Sequence, residues 1–234
     1  DLLRDYDAVY IGIGLGTTPK LNVPGEDLDG VIDAIEFIED LKRGPHERID
    51  IGSTVAVIGA GNTAIDAATQ ARRLGANKVY IVYRRTQKEM PAYEYEYGLA
   101  LGDECEFLWQ TNPSRIVGDK QVTGIELVRI ELGEPDASGR RSPKPVPGSE
   151  FVVPVDMVIK ALGQKSYDGF LGSIPDLKTN WGKVVVNESK QTSIPKLFAG
   201  GDCINGGKET VNAVQDGKMA ALGIHKMIFG EGEV

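Results

Sequence analysis

The sequence predicts an α/β fold in which a central domain, built on a parallel sheet, interrupts a second domain. Three observations predict it. Val55 to Tyr83 alternates strand, helix and strand within about 30 residues, the length of a βαβ unit. Two apolar segments of one design, Asp7 to Gly14 and Asp156 to Gly163, bracket the middle of the chain, each opening on Asp and closing on Gly. The part beyond Gly163 is too small for a core of its own, so it is expected to pack with the opening strand.

The elements follow in order. Ala8 to Ile13 is an apolar run of strand length, closed by Gly14 and broken by Thr17-Thr18-Pro19. Asp33 to Arg43 carries Ile35, Ile38 and Leu41 at helical spacing and reads as a connecting helix. Val55 to Ile58 is an all-apolar strand, Ala64 to Leu74 an alanine-rich helix ended by Gly75, and Lys78 to Tyr83 a second strand. Glu89 to Leu101 reads as helix, and Val122 to Leu132 with Phe151 to Val155 as a β-meander. Between them, Gly133 to Gly148 holds Pro135, Gly139, Pro143, Pro145 and Pro147 and is expected to be a mobile hairpin tip. Lys183 to Val186 is a short strand, Leu197-Phe198-Ala199 runs into Gly200-Gly201-Asp202, and Thr210 to Ile228 is a helix.

Composition excludes several classes. At 41% hydrophobic the chain can bury one or two ordinary cores, and its net charge of −8 opposes nucleic acid and anionic membranes as partners. Cys105 and Cys203 stand in no C-x-x-C arrangement, which argues against a disulfide framework, a zinc ribbon or a dithiol centre and fits a reducing, cytoplasmic compartment. No run approaches the roughly 18 apolar residues of a membrane span, and the sequence does not open on a charged-then-apolar run. The chain lacks an initiating Met and enters a strand almost at once, so it is expected to be a piece of a longer protein.

The glycines after the first central strand carry the chemistry. In Val57-Ile58-Gly59-Ala60-Gly61-Asn62-Thr63-Ala64, Gly59 permits the sharp turn, Gly61 has no Cβ to hold a pyrophosphate away, and Ala64 lets helix and strand pack closely. The helix that starts at Asn62 and Thr63 aims free N–H groups and a positive dipole end at phosphate. This is a Rossmann-type turn for a nicotinamide dinucleotide. The next strand ends Val82-Tyr83-Arg84-Arg85 with no carboxylate at the tip. An acid there would hold the ribose hydroxyls of NAD, whereas a guanidinium fork matches the 2′-phosphate of NADP. The alternative is that both arginines are solvated or pair with Glu89, Glu94 or Glu96.

Taken with the brackets, Phe198-Ala199-Gly200-Gly201-Asp202, GAGNTAID from Gly59, YRR from Tyr83, MPAYEYEY from Met90 and GGKETVNAVQDGKMAA from Gly206 resemble the flavoprotein reductases with two dinucleotide-binding domains. The likeness covers essentially the whole chain. It is nearest to the branch of the glutamate synthase small subunit and dihydropyrimidine dehydrogenase, and the last motif with MPAYEYEY looks most like the smaller subunit of the bacterial dihydropyrimidine enzyme. The resemblance implies a Rossmann-like nicotinamide-binding domain, its parallel sheet joined to a β-meander, inserted into the partial sheet of an FAD-binding domain. The expected boundaries are 1–30, 31–165 and 166–234. It further implies that Gly201 and Asp202 hold the FAD ribityl chain, that the backbone at Thr210 and Val211 faces the flavin pyrimidine edge, and that Gly163 lies at a nicotinamide-domain strand end. The implied cofactors are NADP(H) or NAD(H) and, in the complete protein, FAD. The implied partner is an iron–sulfur domain or a catalytic subunit. The family's glycine loop for FAD phosphates and its cysteine-rich region are expected ahead of the strand Ala8 to Ile13.

The remaining candidates are weaker. His46 and His225 have no metal-ligand spacing and read as structural or solvated. Cys203 reads as a small packing residue. Tyr93, Tyr95 and Tyr97 recur with period two inside an expected helix, where they cannot share one face.

Overall fold

The computed structural model describes residues 2–45, 49–135, 139 and 141–230. The chain opens with a one-turn helix, α1 (Leu2–Asp5), and strand β1 (Val9–Ile11). Next come β2 (Val31–Asp33), α2 (Ala34–Arg43), β3 (Thr54–Ile58), α3 (Asn62–Arg73), β4 (Lys78–Tyr83), α4 (Glu94–Gly102) and β5 (Glu106–Trp109). A meander follows: β6 (Thr111–Gly118), β7 (Val122–Pro135), β8 (Arg141–Pro145) and β9 (Phe151–Val153), and then β10 (Met157–Lys160). The last part holds α5 (Asp168–Gly172), β11 (Thr179–Asn180), β12 (Lys183–Val184), β13 (Leu197–Ala199), α6 (Asp202–Asn205) and α7 (Thr210–Phe229). Two compact units result, residues 18–163 and residues 1–17 with 164–234.

In the unit 18–163 a parallel sheet runs in the order β2-β10-β3-β4-β5. Successive side chains of a strand point to opposite faces, and β3 shows what each face meets. Val55 and Val57 join α2, α3 and α4 in one core, whereas Ala56 and Ile58 join Ile116, Ile125 and Leu127 of the meander in another. A sheet buried on both faces needs continuous apolar strands, as in Val55-Ala56-Val57-Ile58. On α3, Ala64, Ala67, Ala68 and Ala71 are all fully buried, so the helix axis lies close over the sheet. The small residues that made this segment read as alanine-rich helix are its packing face.

Several expectations shift. The first boundary lies near residue 17 and not at 30, because Leu21, Val23 and Leu28 pack against the meander-side core. The helix expected over Asp33 to Arg43 is present as α2; Leu41 is buried and Ile38 packs against the core, while Ile35 is 37% exposed and Phe37, 2% exposed, is the main anchor. Glu89 to Leu101 is not one helix. A 3-10 turn (Gln87–Glu89) ends at Met90, which is extended at φ −65°, ψ 126° as a residue before proline prefers, and α4 starts only at Glu94. The tyrosines therefore straddle a helix start: Tyr93 and Tyr95 stack at 6.4 Å, and Tyr97 meets Phe107 at 5.0 Å. Gly133 to Gly148 is not a bare tip, since β8 pairs antiparallel with β7 through Leu132↔Pro143 and Ile130↔Pro145. Pro143 and Pro145 sit on β8, the edge strand of the order β6-β7-β8, where proline is tolerated. Residues 136–138 and 140 of that stretch lie outside the described residues, as does His46.

In the other unit β1 pairs parallel with β13, Val9 opposite Leu197 and Ile11 opposite Ala199. The C-terminal part thus does share a core with the opening strand, through Ile11, Leu171, Val184, Leu197, Ala199 and Cys203. The long helix α7 comes close to the turn before β13: a Cβ on Gly223 would stand 2.4 Å from the carbonyl oxygen of Ser189. Only glycine allows that approach.

Candidate functional site

The site is built where β3 ends. The amide of Gly59 donates to the Val82 carbonyl at 3.0 Å, which locks the end of β3 to β4, and Gly59 then turns at φ 128°. At Gly61 an added Cβ would meet nothing nearer than Pro91 Cγ at 3.9 Å, so the missing side chain leaves open space above the turn. Gly61 is the N-cap of α3 and has no side chain to cap with; its carbonyl accepts from the amides of Ala64 and Ile65. The amides of Asn62 and Thr63 belong to the first turn, where an α-helix has no internal acceptor for them. These features fit a diphosphate: a cradle that a Cβ would fill, at the positive end of a twelve-residue helix.

The segment Met90 to Tyr93 straps this turn. The amide of Ala92 donates to the Ala60 carbonyl and the amide of Tyr93 to Asn62 Oδ1, each at 3.2 Å. Farther back, Tyr83 Oη donates to the Glu89 carbonyl at 2.8 Å, and the Glu89 carboxylate accepts from the Thr86 amide and hydroxyl. Those bonds hold the Glu89 carboxyl below the usual carboxylate range, the Thr86 side chain contributing most. Asn62 thus has a structural task through its side chain. The strap was invisible at the level of motif spacing, although MPAY stood out as a motif.

A groove of about 550 Å³ runs over the turn. It is lined by Gly59, Ala60 and Gly61, by Val82, Tyr83 and Arg84 at the end of β4, and by Ala161, Leu162 and Gly163 after β10. Lys20, Leu21 and Val23 close another side, with Pro91 and Thr111 to Pro113. The structure therefore gathers Gly59, Gly61, Arg84 and Gly163 around one cavity. Arg84 is exposed, and neither Arg84 nor Arg85 forms an ion pair among the described residues, so the carboxylates at 89, 94 and 96 do not claim them. Arg85 lies outside the lining; its Nε is buried without a hydrogen-bond partner. An orphaned buried guanidinium nitrogen is costly and is what a docked anion would satisfy.

The second candidate region lies in the other unit. Gly201 sits at φ 75°, ψ −154°, a conformation open to glycine, and begins the turn into α6. Asp202 Oδ1 accepts from the Lys208 amide at 3.1 Å, tying that turn to the segment that leads into α7. Thr210 and Val211 form the exposed first turn of α7, with Val211 72% exposed. A residue not singled out from sequence governs the geometry. Asp216, buried within α7, accepts from the Gly201 amide at 3.1 Å through Oδ2 and pairs with Lys190 Nζ at 2.7 Å through Oδ1. Burial works to raise its pKa, but Lys190 and the Gly201 amide prevail and hold it below the usual range. Its signal in the sequence was that it is the one acid between Thr210 and Phe229.

Cys105 and Cys203 are free and buried, and burial pushes the Cys105 thiol up to about 11 and Cys203 in the same direction. Neither is poised as a nucleophile. Cys203 packs in the core of its unit as expected, and His225 lies against Phe229 with ring centres 5.0 Å apart. Among the described residues no group of three or more His, Cys, Asp or Glu could hold a metal ion, and no helix is long and apolar enough to cross a membrane.

Residues 4–217 match the pyridine nucleotide-disulphide oxidoreductase family. Among curated proteins the chain is 40% identical over 230 residues to the NADP(+)-dependent formate dehydrogenase subunit beta of Moorella thermoacetica, covering 97% of this chain and 32% of that protein. It is 36% identical over 245 residues to the glutamate synthase [NADPH] small chain of Azospirillum brasilense, covering 96% of this chain and 49% of that one. The chain thus spans between about a third and a half of the length of these relatives. Among solved structures, Mycobacterium tuberculosis FprA in complex with NADPH superposes with a TM-score of 0.74 at 22% identity, covering 98% of this chain and 64% of that one, a likeness of fold.

Proposed function

The chain belongs to the pyridine nucleotide-disulphide oxidoreductase family, and from that membership we propose that it forms the NADPH-binding part and a portion of the FAD site of an NAD(P)H-dependent flavin oxidoreductase. The observation that carries this reading is the single groove that gathers the open turn at Gly61, the Arg84 guanidinium and the backbone at Gly163. The amides of Asn62 and Thr63 meet the diphosphate, and Arg84, with Arg85 behind it, meets a 2′-phosphate. Gly163, with no side chain, lets the nicotinamide end lie against backbone. In the other unit the turn at Gly201 presents Asp202 to ribityl hydroxyls, and the first-turn amides at Thr210 and Val211 face the pyrimidine edge of the ring. A bound flavin would supply the hydride and one-electron chemistry; the protein's share is binding, orientation and exclusion of water. No acid or base of the chain is required for that chemistry.

The relatives' names include subunits of larger assemblies, which supports a partner subunit as electron acceptor. We assign that partner an iron–sulfur centre and the protein a cytoplasmic, reducing setting. The finer reading, a dihydropyrimidine dehydrogenase-like reductase, rests on MPAYEYEY and GGKETVNAVQDGKMAA alone. A glutamate synthase small-subunit-like reductase has the 36% identity in its favour.

Titration calorimetry with NADPH and NADH tests the reading. The expected outcome is tighter binding of NADPH, reduced about tenfold or more by Arg84→Ala with NADH little changed, as for loss of one charge-assisted phosphate contact. Equal affinities in the unmodified chain would remove the NADP assignment. Flavin absorbance near about 450 nm is expected from a longer protein that joins this chain to the family's FAD-phosphate loop, and not from residues 1–234 alone; a colourless longer protein would favour a dinucleotide-binding module without turnover.

A further inference from the structure

The loop Lys20 to Val23 forms part of the groove wall, and it is held there by a charged cluster with little exposure to solvent. Both oxygens of Glu26 grip it: Oε1 accepts from the Leu21 amide and Oε2 from the Asn22 amide, each at 2.8 Å. Asn22 stands at φ 57°, in the left-handed region that asparagine enters more readily than most residues, so the chain turns sharply there. Glu26 Oε1 also accepts from Lys160 Nζ at 3.1 Å. The same Nζ lies 3.1 Å from Asp33 Oδ1, a charge contact without hydrogen-bond alignment. The side chains of Lys160, Glu26 and Asp33 are 13%, 13% and 21% exposed. Such a cluster is a poor source of net stability, because apolar residues of equal volume do as well or better. What it supplies is geometry. Lys160 ends β10, and the next three residues, Ala161 to Gly163, line the same groove that the Lys20 loop walls. One ammonium therefore joins two sides of the cavity. Lys20 itself lines the groove, is exposed, and forms no ion pair among the described residues.

We propose that Lys160, acting through Glu26, is a positioning residue that sets the Lys20 loop so that the Lys20 ammonium meets a phosphoryl oxygen of the bound dinucleotide. The assignment rests on the groove being the dinucleotide site. Arg84 and Lys20 are then two separate cations for one polyanionic ligand, the second placed by a part of the chain far from the glycine turn.

The test measures NADPH affinity by calorimetry on the full chain and on Lys20→Met, Lys160→Met and Lys160→Arg. It adds circular dichroism melts and the rate of tryptic cleavage after Lys20 in chains that keep that lysine. Lys20→Met is expected to weaken NADPH binding about tenfold with an unchanged melt, the difference shrinking at high salt where a single exposed charge is screened. Lys160→Met is expected to weaken binding at least as much at a temperature where it is folded, and to speed cleavage after Lys20. Lys160→Arg, which keeps the charge, should recover most of both. If Lys160→Met does not fold, Glu26→Gln takes its place, since it keeps an acceptor for one loop amide and loses the ion pair. Full affinity in Lys20→Met overturns the proposal and leaves the dinucleotide reading standing. A lowered melt in Lys160→Met with unchanged affinity and cleavage shows a merely structural role and overturns the positioning. No NADPH binding by the unmodified chain overturns the dinucleotide reading and this proposal with it.

Discussion

A Cβ on Gly59 would lie 2.2 Å from the carbonyl oxygen of Ala161, whereas one on Gly61, two residues later, would meet only Pro91 Cγ at 3.9 Å. The two glycines of the turn are therefore needed for different reasons. Gly59 serves the fold: its φ of 128° and the Ala161 carbonyl just beyond β10 exclude any side chain. Gly61 sits at φ −85°, which every residue adopts, and on the dinucleotide reading proposed above it serves the ligand. Gly61→Val is expected to keep the circular dichroism spectrum and urea midpoint of the unmodified chain while losing dinucleotide binding. Gly59→Ala is expected to destabilise the unit 18–163 by several kcal/mol, roughly the scale of strained backbone plus overpacking. Retained binding in Gly61→Val would place the phosphate elsewhere.

The Lys190–Asp216 pair gives a stability prediction with a pH sign. Asp216 titrates below its ordinary range when folded, so it contributes stability above its unfolded pKa and that contribution is lost as pH falls through the folded value. The unmodified chain should thus lose urea resistance at the acid end of the carboxylate range, and Asp216→Asn should lose less over that interval. Lys190→Met leaves a buried carboxylate unpaired and is expected to cost on the order of 3 kcal/mol at neutral pH. A neutral-pH denaturation midpoint unchanged by Lys190→Met would contradict the pairing.

Thiol chemistry follows from burial. With its pKa pushed up to about 11, Cys105 carries almost no thiolate at pH 8, and Cys203 is shifted the same way. An aromatic disulfide reagent is expected to react slowly with the folded chain and to release two equivalents promptly in denaturant, matching Cys105 and Cys203. Fast labelling of the native protein would show that one of the two thiols is reached in the folded state.

Helix α2 offers a direct comparison of the aliphatic spacing with the observed face. Phe37→Ala should cost about 3–5 kcal/mol, as for loss of a buried aromatic, and Ile35→Ala less than about 1 kcal/mol. Urea denaturation of the two variants decides it, and equal losses would mean that the helix presents Ile35 inward.

What the sequence determined by itself was local. Val55 to Ile58, the turn Gly59 to Gly61, the alanine-rich helix and Lys78 to Tyr83 could be read because strand alternation, helical spacing and glycine conformations are written in adjacent residues. That the last segment shares a core with the opening strand was legible from its size, since an element with no core must borrow one, whereas the pairing with Leu197 to Ala199 came from the structure. Tertiary structure decided the rest. The helix expected from Glu89 was cut by Pro91, and the residues around it became a strap because the Ala60 carbonyl and Asn62 were there to receive their amides. Lys160 reaches Glu26 across 134 positions and Asp216 reaches Gly201 across 15, and no spacing rule connects either pair. A buried charge finds its partner only when the topology has brought both into the same low-dielectric space. For that reason the glycines of this site could be read from the chain, while the ion pairs that hold its loops could be assigned only from the folded molecule.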